Sequence, residues 1–524
     1  MDSPHAQLDR VCDSPRFRGS PKVVALLRFL GADALAGGGP PPTGRVIAAR
    51  VLGARDPDGR TAGAAVRMQA GRLRKLLDQY YSAEGAADPI RIELPLRDYR
   101  VRFVKEGAVV TPTAAQASEL PVLAVAATRF LAPEQAPAGL AAAFTSNLLA
   151  ELGGYSLVVP LAPVAGPGAN AVGGAGDARI SHASPFTLDT ALQAAGDEVR
   201  VLATLATGLP ARQVWSKTYG FAAAPGVAGR SMAAAARAVV ADVADECGAM
   251  LRETLRASGH TPVEELSVPE AIATLWRFMI TGAPDDLAFA VRALEQALDR
   301  TPESPMLNIF WAAASCQAYT SSLDPRARLP DRVMERVEAA RRAALGHPWV
   351  ELVRGYVRWL GRQSEGLGAI LEPMEAVPGS PTFRGMLGAM RIAADLDADR
   401  GRVIVATAIA ESPQPLLWFH LCAALYDLRR GDLDAAERGL ARIDAPTRPE
   451  PVVLKAALAV ARGDLDSARR LLDVVTDAMP EFPVVGEVIL RRWLHDDHVD
   501  AIAATLQPLG IDWFHRPAVG IVRG

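Results

Sequence analysis

"LRRGDLDAAERGLARI", residues 428–443, and "VARGDLDSARRLLDVV", residues 460–475, share the run RGDLD followed by one variable position and an alanine. The glycines of the two runs, Gly431 and Gly463, are 32 positions apart. A repeat of this period is typical of chains in which one supersecondary unit is stacked many times. The two stretches therefore predict a repeat architecture, with further copies of the unit on both sides.

In the further copies, the second helix of a unit is expected to begin near residue 283, 362, 397 or 496. One more unit occupies residues 329–349, and most spacings cluster at about 32–35 residues. A single helix pair cannot bury its apolar face alone, so neighbouring pairs are expected to stack. Residues 265–524 resemble tetratricopeptide repeats in period and layout. The resemblance implies an all-α solenoid whose groove binds a protein or peptide partner.

The composition separates a basic N-terminal part from an acidic remainder. The 524 residues allow roughly three domains, and the net charge is −3. Residues 1–106 hold 18 Lys and Arg against 12 Asp and Glu, a net +6, which leaves −9 for the rest. This asymmetry suits an anion-binding head on an acidic body.

The cysteines and the hydropathy pattern indicate the compartment. The four cysteines are far apart and form no CxxC pair, which favours a reducing environment. The first residues, "MDSPHAQLDR", have no apolar segment typical of a signal peptide. No apolar run approaches the ~20 residues of a membrane span. We therefore expect a soluble, cytoplasmic protein without membrane contact.

"VRMQAGRLRKLLDQYY", residues 66–81, is predicted to be a helix with a buried face and a basic face. At about 100° per residue, one apolar row lies within about 40° of a single line. That row is Val66, Ala70, Leu73, Leu77 and Tyr80. The basic residues facing away from it are Arg67, Arg72, Arg74 and Lys75. Two shorter helices are expected before this one, over residues 20–35 and 45–53.

"DPIRIELPLRDYRVRFV", residues 88–104, alternates apolar and polar residues in two runs, which predicts a two-stranded hairpin. Its outward basic residues are Arg91, Arg97, Arg100 and Arg102. Three helices followed by a hairpin is the order of a winged helix-turn-helix. There the third helix enters the major groove of double-stranded DNA and the hairpin touches the backbone. The alternative is that these basic side chains only form the water-exposed faces of the helix and the hairpin and bind no ligand.

Residues 14–104 resemble a bacterial N-terminal domain related to OmpR-type winged-helix domains. The motifs that carry the resemblance are "VR…A.RLR..L..YY" and "D.IRIELP…Y.V.F". It implies a winged-helix-like α+β head, residues 14–105, with the eight basic residues named above as DNA contacts. The chain departs from the family pattern at "TGR", residues 43–45, and at "DPDG", residues 56–59.

A small α/β domain is expected over residues 119–258. Its predicted strands and helices cover residues 120–130, 137–153, 155–160, 186–194, 198–206, 212–220 and 231–256. This order resembles the TolB amino-terminal domain, and the matching residues are Gly196, Val199, Arg200, Leu205, Trp215 and Tyr219. The resemblance implies a module without catalytic machinery. Trp215 either lines a docking site or packs in the core.

No catalytic or cofactor motif stands in a recognisable context. "GGPPPTGR", residues 38–45, lacks the lysine and the amide donors of a phosphate loop. In "HDDHVD", residues 495–500, a solvated helix start is favoured over a metal site. We therefore predict a non-enzymatic regulator with neither cofactor nor metal, which binds DNA through its head. The alternative, prompted by the altered loops, is a protein-interaction scaffold whose head no longer binds DNA.

Overall fold

The computed structural model describes most of the chain. The described residues are 4–36, 42–53, 60–81, 84–85, 88, 90–94, 99, 101–105, 119–132, 139–162, 186–208, 211–222, 228–322, 324, 326–344, 346–363, 365–443, 448–480 and 482–510. They are mostly helical, with a small mixed sheet. The chain divides into two compact units, Met1–Thr111 and Pro112–Gly524. Within the described residues, every helix is too short or too polar to cross a membrane.

Among its described residues, the first unit has five helices and a hairpin. They are α1 (Pro4–Asp13), α2 (Pro15–Arg18), α3 (Pro21–Ala36), α4 (Gly44–Arg50), α5 (Arg60–Tyr81), β1 (Ile90–Glu93) and β2 (Arg102–Lys105). The helix α3 begins with a proline, whose fixed φ and missing N–H suit the first turn. The side chain of Thr43 caps α4 by accepting a hydrogen bond from the Val46 amide. The sequence did not predict α1 and α2.

The apolar row of α5 forms the core of this unit, as predicted. Val66, Leu73 and Tyr80 are each at most 3 % exposed, and α5 packs on α3 and α4. The Tyr80 hydroxyl donates to Asp88 Oδ2 at 2.7 Å, and Gln7 of α1 donates to the same oxygen. The end of α5 is therefore anchored to the first helix. The helix begins six residues earlier than the quoted stretch.

The predicted hairpin is confirmed. The strands β1 and β2 are antiparallel, with Ile92 opposite Phe103 and Glu93 opposite Arg102. Ile92 and Val101 are buried in the same core as α5. The period-two alternation in the sequence therefore describes one buried face of a two-stranded sheet.

The second unit opens with a mixed sheet. Its strands are β3 (Val122–Val125), β4 (Arg129–Phe130), β5 (Val159–Leu161), β6 (Phe186–Ala195), β7 (Glu198–Thr207) and β8 (Arg212–Ala222). The strand order is β5-β3-β6-β7-β8, with β4 beside β6. The first pairs are parallel, and β6, β7 and β8 are antiparallel. Trp215 is half-buried and packs against the core of this sheet.

Two helices pack together beside this sheet, α6 (Leu140–Leu152) and α7 (Ala228–Ala244). The predicted single helix over residues 231–256 is wrong, because the chain breaks after α7 and resumes as α8 (Ala249–Ala257). The break is a short turn in which the Cys247 amide donates to Asp245 Oδ1 at 2.9 Å. Gly248 fits the turn because a Cβ there would lie 2.8 Å from the Val243 carbonyl oxygen.

The remainder is a series of helices. They are α9 (Val268–Thr281), α10 (Pro284–Arg300), α11 (Pro305–Thr320), α12 (Arg332–Ala343), α13 (Pro348–Leu360), α14 (Leu367–Glu375), α15 (Pro381–Ala393), α16 (Ala398–Glu411), α17 (Leu417–Arg430), α18 (Leu433–Leu440), α19 (Pro449–Ala461), α20 (Leu465–Ala478), α21 (Phe482–Arg491) and α22 (Asp496–Leu506). From α9 to α20, the first helix of each pair packs on the second. From α9 to α19, the first helix of each pair also packs on the first helix of the next pair. Their apolar side chains form one continuous core.

The repeated RGDLD run has the same structure in both copies. Gly431 and Gly463 follow α17 and α19 with φ of 78° and 82°, a left-handed conformation that favours glycine. The next residue caps the following helix. Asp432 Oδ1 accepts from the Ala435 amide at 3.0 Å, and Asp464 Oδ1 accepts from the Ser467 amide at 2.9 Å. The sequence repeat is therefore a repeat of one helix–turn–helix.

Candidate functional site

The candidate DNA-binding residues of the helix lie on α5, and Arg72 is exposed there. Two neighbours that sequence reasoning missed share the exposed surface. Met68 is 65 % exposed, and Gly71 has open space where a Cβ would stand. Val66, Leu73 and Tyr80 lie in the core, and Met68, Gly71 and Arg72 are exposed on the other side of α5.

The hairpin strands carry two more of the predicted contacts. Arg91 lies in β1 and Arg102 in β2. Two residues lie outside the described part of the chain, Arg97 and Arg100. The described part of the chain also excludes the side chains of Arg67, Arg74, Lys75, Arg91 and Arg102. The hairpin thus has the predicted backbone, and Arg72 is the one predicted contact whose side chain is described.

A cavity, which we call the aromatic cavity, lies among the first helices of successive pairs in the second unit. Its volume is about 90 Å³. Residues of α9, α11, α13, α15, α17 and α19 line it. Because these first helices pack on one another, their inner faces form one continuous wall.

Aromatic side chains make up much of that wall. Five of the seven tryptophans in the described part of the chain line the cavity: Trp276, Trp349, Trp359, Trp418 and Trp493. Trp276 and Trp349 meet edge to face with their centroids 5.2 Å apart. Trp418 and Trp493 lie 4.6 Å apart with tilted planes. Aromatic walls of this kind offer large apolar area and preferred geometries for a flat ring.

Most polar groups of the aromatic cavity have partners within the protein. The Arg448 guanidinium donates to the Glu450 carboxylate at 3.2 Å, and that carboxylate raises the pKa of Arg448. Gln317 donates to the Tyr356 hydroxyl at 3.4 Å. Burial raises the pKa of Tyr356 well above its ordinary value, so the hydroxyl keeps its proton.

The indole of Trp493 differs from these groups. Its side chain is 3 % exposed, and its indole N–H has no acceptor among the described residues. Buried donors of this kind are nearly always paired in folded proteins, by protein, water or ligand. An unpaired donor on a residue that lines a cavity therefore marks a place for an acceptor.

A buried acidic pair stands between α7 and α8, which we call the acidic junction. Asp245 accepts from the Thr382 amide at 3.0 Å and from its hydroxyl at 2.7 Å. Glu246 accepts from the Trp349 indole at 3.2 Å and from the Ser380 hydroxyl. The junction therefore fastens the end of the sheet region to α13 and α15.

Both carboxyl groups of the acidic junction hold their protons more tightly than usual. Burial, and after it the charge of Asp245, raise the pKa of Glu246 to about 8. Burial raises the pKa of Asp245 as well. Sequence reasoning missed this pair, because the residues lie inside what reads as one uninterrupted helix.

The two histidines of residues 495–500 differ from the expected solvated helix start. His495 caps α22, but His498 is 1 % exposed. His498 Nε2 lies 2.7 Å from the Ile392 carbonyl oxygen, and Nδ1 lies 2.7 Å from the Arg429 guanidinium. Burial lowers the pKa of His498. Both ring nitrogens are thus engaged, which makes this histidine structural.

One group of side chains nearby has ligand atoms within 4.8 Å of one another, namely Asp395, His495 and Asp497. Asp497 is exposed. Exposed acidic groups of this kind are common without an ion. We therefore assign no metal to this group of side chains.

No family model matches the chain, and no curated protein matches it. Among solved structures, a monomeric mutant of IFIT1 with Gppp-AAAA is similar at 14 % sequence identity and a TM-score of 0.26. The match covers 49 % of this chain and 54 % of that one, so this chain spans about half of its length.

Proposed function

We propose that the protein is a non-enzymatic cytoplasmic regulator that binds double-stranded DNA through its first unit. The observation that carries the proposal is the exposed side of α5, where Arg72 stands beside Met68 and Gly71. Arginine pairs bidentately with phosphate or guanine. An apolar side chain can contact a thymine methyl, and a glycine lets the backbone of the DNA approach closely.

The order of elements in the first unit supports the same proposal. A winged helix-turn-helix, related to the OmpR type, has a recognition helix followed by a hairpin. Here α3, α4 and α5 precede β1 and β2. In this assignment Arg67, Arg74 and Lys75 join Arg72 as contacts from the helix, and the hairpin arginines contact backbone phosphates.

In this proposal the second unit recognises a protein or peptide partner. The sheet region corresponds to a TolB amino-terminal-like domain, and the helical pairs to tetratricopeptide-like repeats. A protein or peptide partner would bind along the repeat surface. The repeated glycine and aspartate caps of α17–α20 support this assignment, because they reproduce one helix–turn–helix at a fixed period.

The test is binding of the full-length chain to duplex DNA, measured by fluorescence anisotropy at several salt concentrations. Six phosphate contacts would give a slope of about −5 in a log–log plot of affinity against salt. Replacing Arg72 and Arg74 by glutamine should weaken binding about tenfold or more and reduce the slope by about 2. The matched control is Arg18→Gln, an exposed arginine of α2.

Two results would contradict this function. Equal affinity in the double variant and the wild type would remove α5 from the interface. Lack of any binding at low salt would favour the second candidate, an interaction scaffold. The departures at residues 43–45 and 56–59 favour that candidate, and it predicts capture of a protein partner by the second unit without DNA.

A further inference from the structure

We propose that the aromatic cavity binds a small, uncharged, largely apolar molecule that carries a hydrogen-bond acceptor. The occupant is a small molecule in this proposal because the walls of the cavity are recessed. Trp276, Trp349 and Trp359 are each at most 4 % exposed. A folded protein surface cannot reach side chains at this depth, which leaves a small molecule as the occupant. The proposal depends neither on DNA binding nor on a protein partner.

The apolar character of the ligand follows from the wall. Rings and aliphatic side chains of six helices face the cavity. Transfer of apolar surface from water into such a site is favourable in proportion to the area buried. The edge-to-face and tilted tryptophan pairs leave ring faces and edges against which a flat ring can pack.

That the ligand is uncharged follows from the ion pair formed by the described residues of the wall. Arg448 and Glu450 neutralise each other, and the Glu450 side chain is only 5 % exposed. A charged ligand would lose its hydration and would find each protein charge already compensated. An uncharged ligand avoids this cost, so neutral molecules should bind more tightly than ionic ones of the same size.

The acceptor follows from Trp493. Two polar groups of the cavity are paired within the protein, Arg448 with Glu450 and Gln317 with Tyr356. The buried indole N–H of Trp493 has no acceptor among the described residues. A carbonyl or ether oxygen of a ligand would satisfy it, and such a bond is directional enough to select among apolar compounds.

The experiment uses the full chain and the probe prodan, an uncharged naphthyl ketone whose emission shifts to the blue in apolar surroundings. We expect saturable binding at one site, with quenching of tryptophan fluorescence. Anilinonaphthalene sulfonate, a probe of similar size that carries a negative charge, should bind at least tenfold more weakly. Equal affinity for the two probes would overturn the inference that the ligand is uncharged.

Two pairs of variants locate the site. Ala313 of α11 lines the cavity, and Ala318 of the same helix is exposed. Ala313→Phe should reduce prodan affinity at least tenfold by filling the cavity, and Ala318→Phe should leave it unchanged. Trp493→Phe keeps the apolar ring and removes the donor, so it should weaken prodan binding about three- to tenfold. Its control is Trp215→Phe, in the sheet.

Circular dichroism establishes that each variant is folded before binding is compared. The proposal is overturned if prodan shows no saturable binding to the wild-type chain. It is equally overturned if folded Ala313→Phe and Trp493→Phe proteins both bind prodan as tightly as the wild type does. These outcomes are separate from the DNA experiment, because prodan binding is measured without DNA.

Discussion

Replacing Glu246 by glutamine should remove a pH-dependent loss of stability from the second unit. In an unfolded chain a glutamate titrates near its ordinary pKa of about 4.3. In the folded protein the pKa of Glu246 is about 8. Between these two values the folded state holds a proton that the unfolded state has released. The contribution of Glu246 to stability is therefore complete below about pH 4 and is lost as the pH rises toward 8.

The magnitude follows from that single proton. Stability changes by up to about 1.4 kcal/mol per pH unit, so the loss between pH 5.5 and pH 7.5 is about 2 to 3 kcal/mol. An unfolding entropy of about 2.1 cal/mol/K per residue, over a cooperative unit of about 400 residues, converts this to about 3 °C in Tm. Glutamine resembles the protonated carboxyl in shape and can still accept from Trp349.

The assay is thermal unfolding of wild type and Glu246→Gln at several pH values, followed by tryptophan fluorescence. Other titrating groups affect both proteins, so the informative quantity is the difference in Tm between them. That difference should shift in favour of the variant by about 3 °C from pH 5.5 to pH 7.5. The exposed Glu265→Gln serves as a control and should show a constant difference. Identical pH profiles for Glu246→Gln and wild type would refute the reasoning.

Further predictions concern the turns. Asp432→Ala and Asp464→Ala should each lower the free energy of unfolding by about 1 kcal/mol, because each removes one helix cap. Urea denaturation measures this loss. If only one variant lost stability, the two turns would not be equivalent. Gly248→Ala should cost about 1 to 3 kcal/mol, because its Cβ would lie 2.8 and 2.9 Å from two backbone carbonyl oxygens. Gly229→Ala, in open space on α7, should be neutral or stabilising. Similar thermal shifts for both glycine variants would contradict this account of the turn.

The sequence predicts local structure best where one short pattern sets it. The RGDLD runs combine a glycine for a left-handed turn with an aspartate for a cap, and both copies adopt that structure. The apolar row of α5 is likewise buried as its period requires. In such cases the backbone conformation depends on residues within one or two helical turns, all of which are visible in the sequence.

The candidate sites depend on contacts between distant residues, and for that reason the sequence did not reveal them. The aromatic cavity joins tryptophans from residue 276 to residue 493. A signal was present, since tryptophans recur in the first helices of several pairs in a chain with only 6 % aromatic residues. Asp245 and Glu246 gave no such signal. Their partners, Thr382, Ser380 and Trp349, lie more than 100 positions away.

Trp349 belongs to both the aromatic cavity and the acidic junction, and this links the two experiments. Its ring meets Trp276 in the cavity wall, while its indole N–H donates to Glu246. A molecule that displaces this ring on entering the cavity weakens the hydrogen bond to Glu246. The bound molecule then changes the affinity of Glu246 for its proton by some factor. By linkage, protonation of Glu246 changes the affinity of the protein for the molecule by that same factor. Prodan affinity that differs between pH 5.5 and 7.5 in the wild type, and is constant in Glu246→Gln, would establish this coupling. Constant affinity in both proteins would mean that the ligand leaves Trp349 in place.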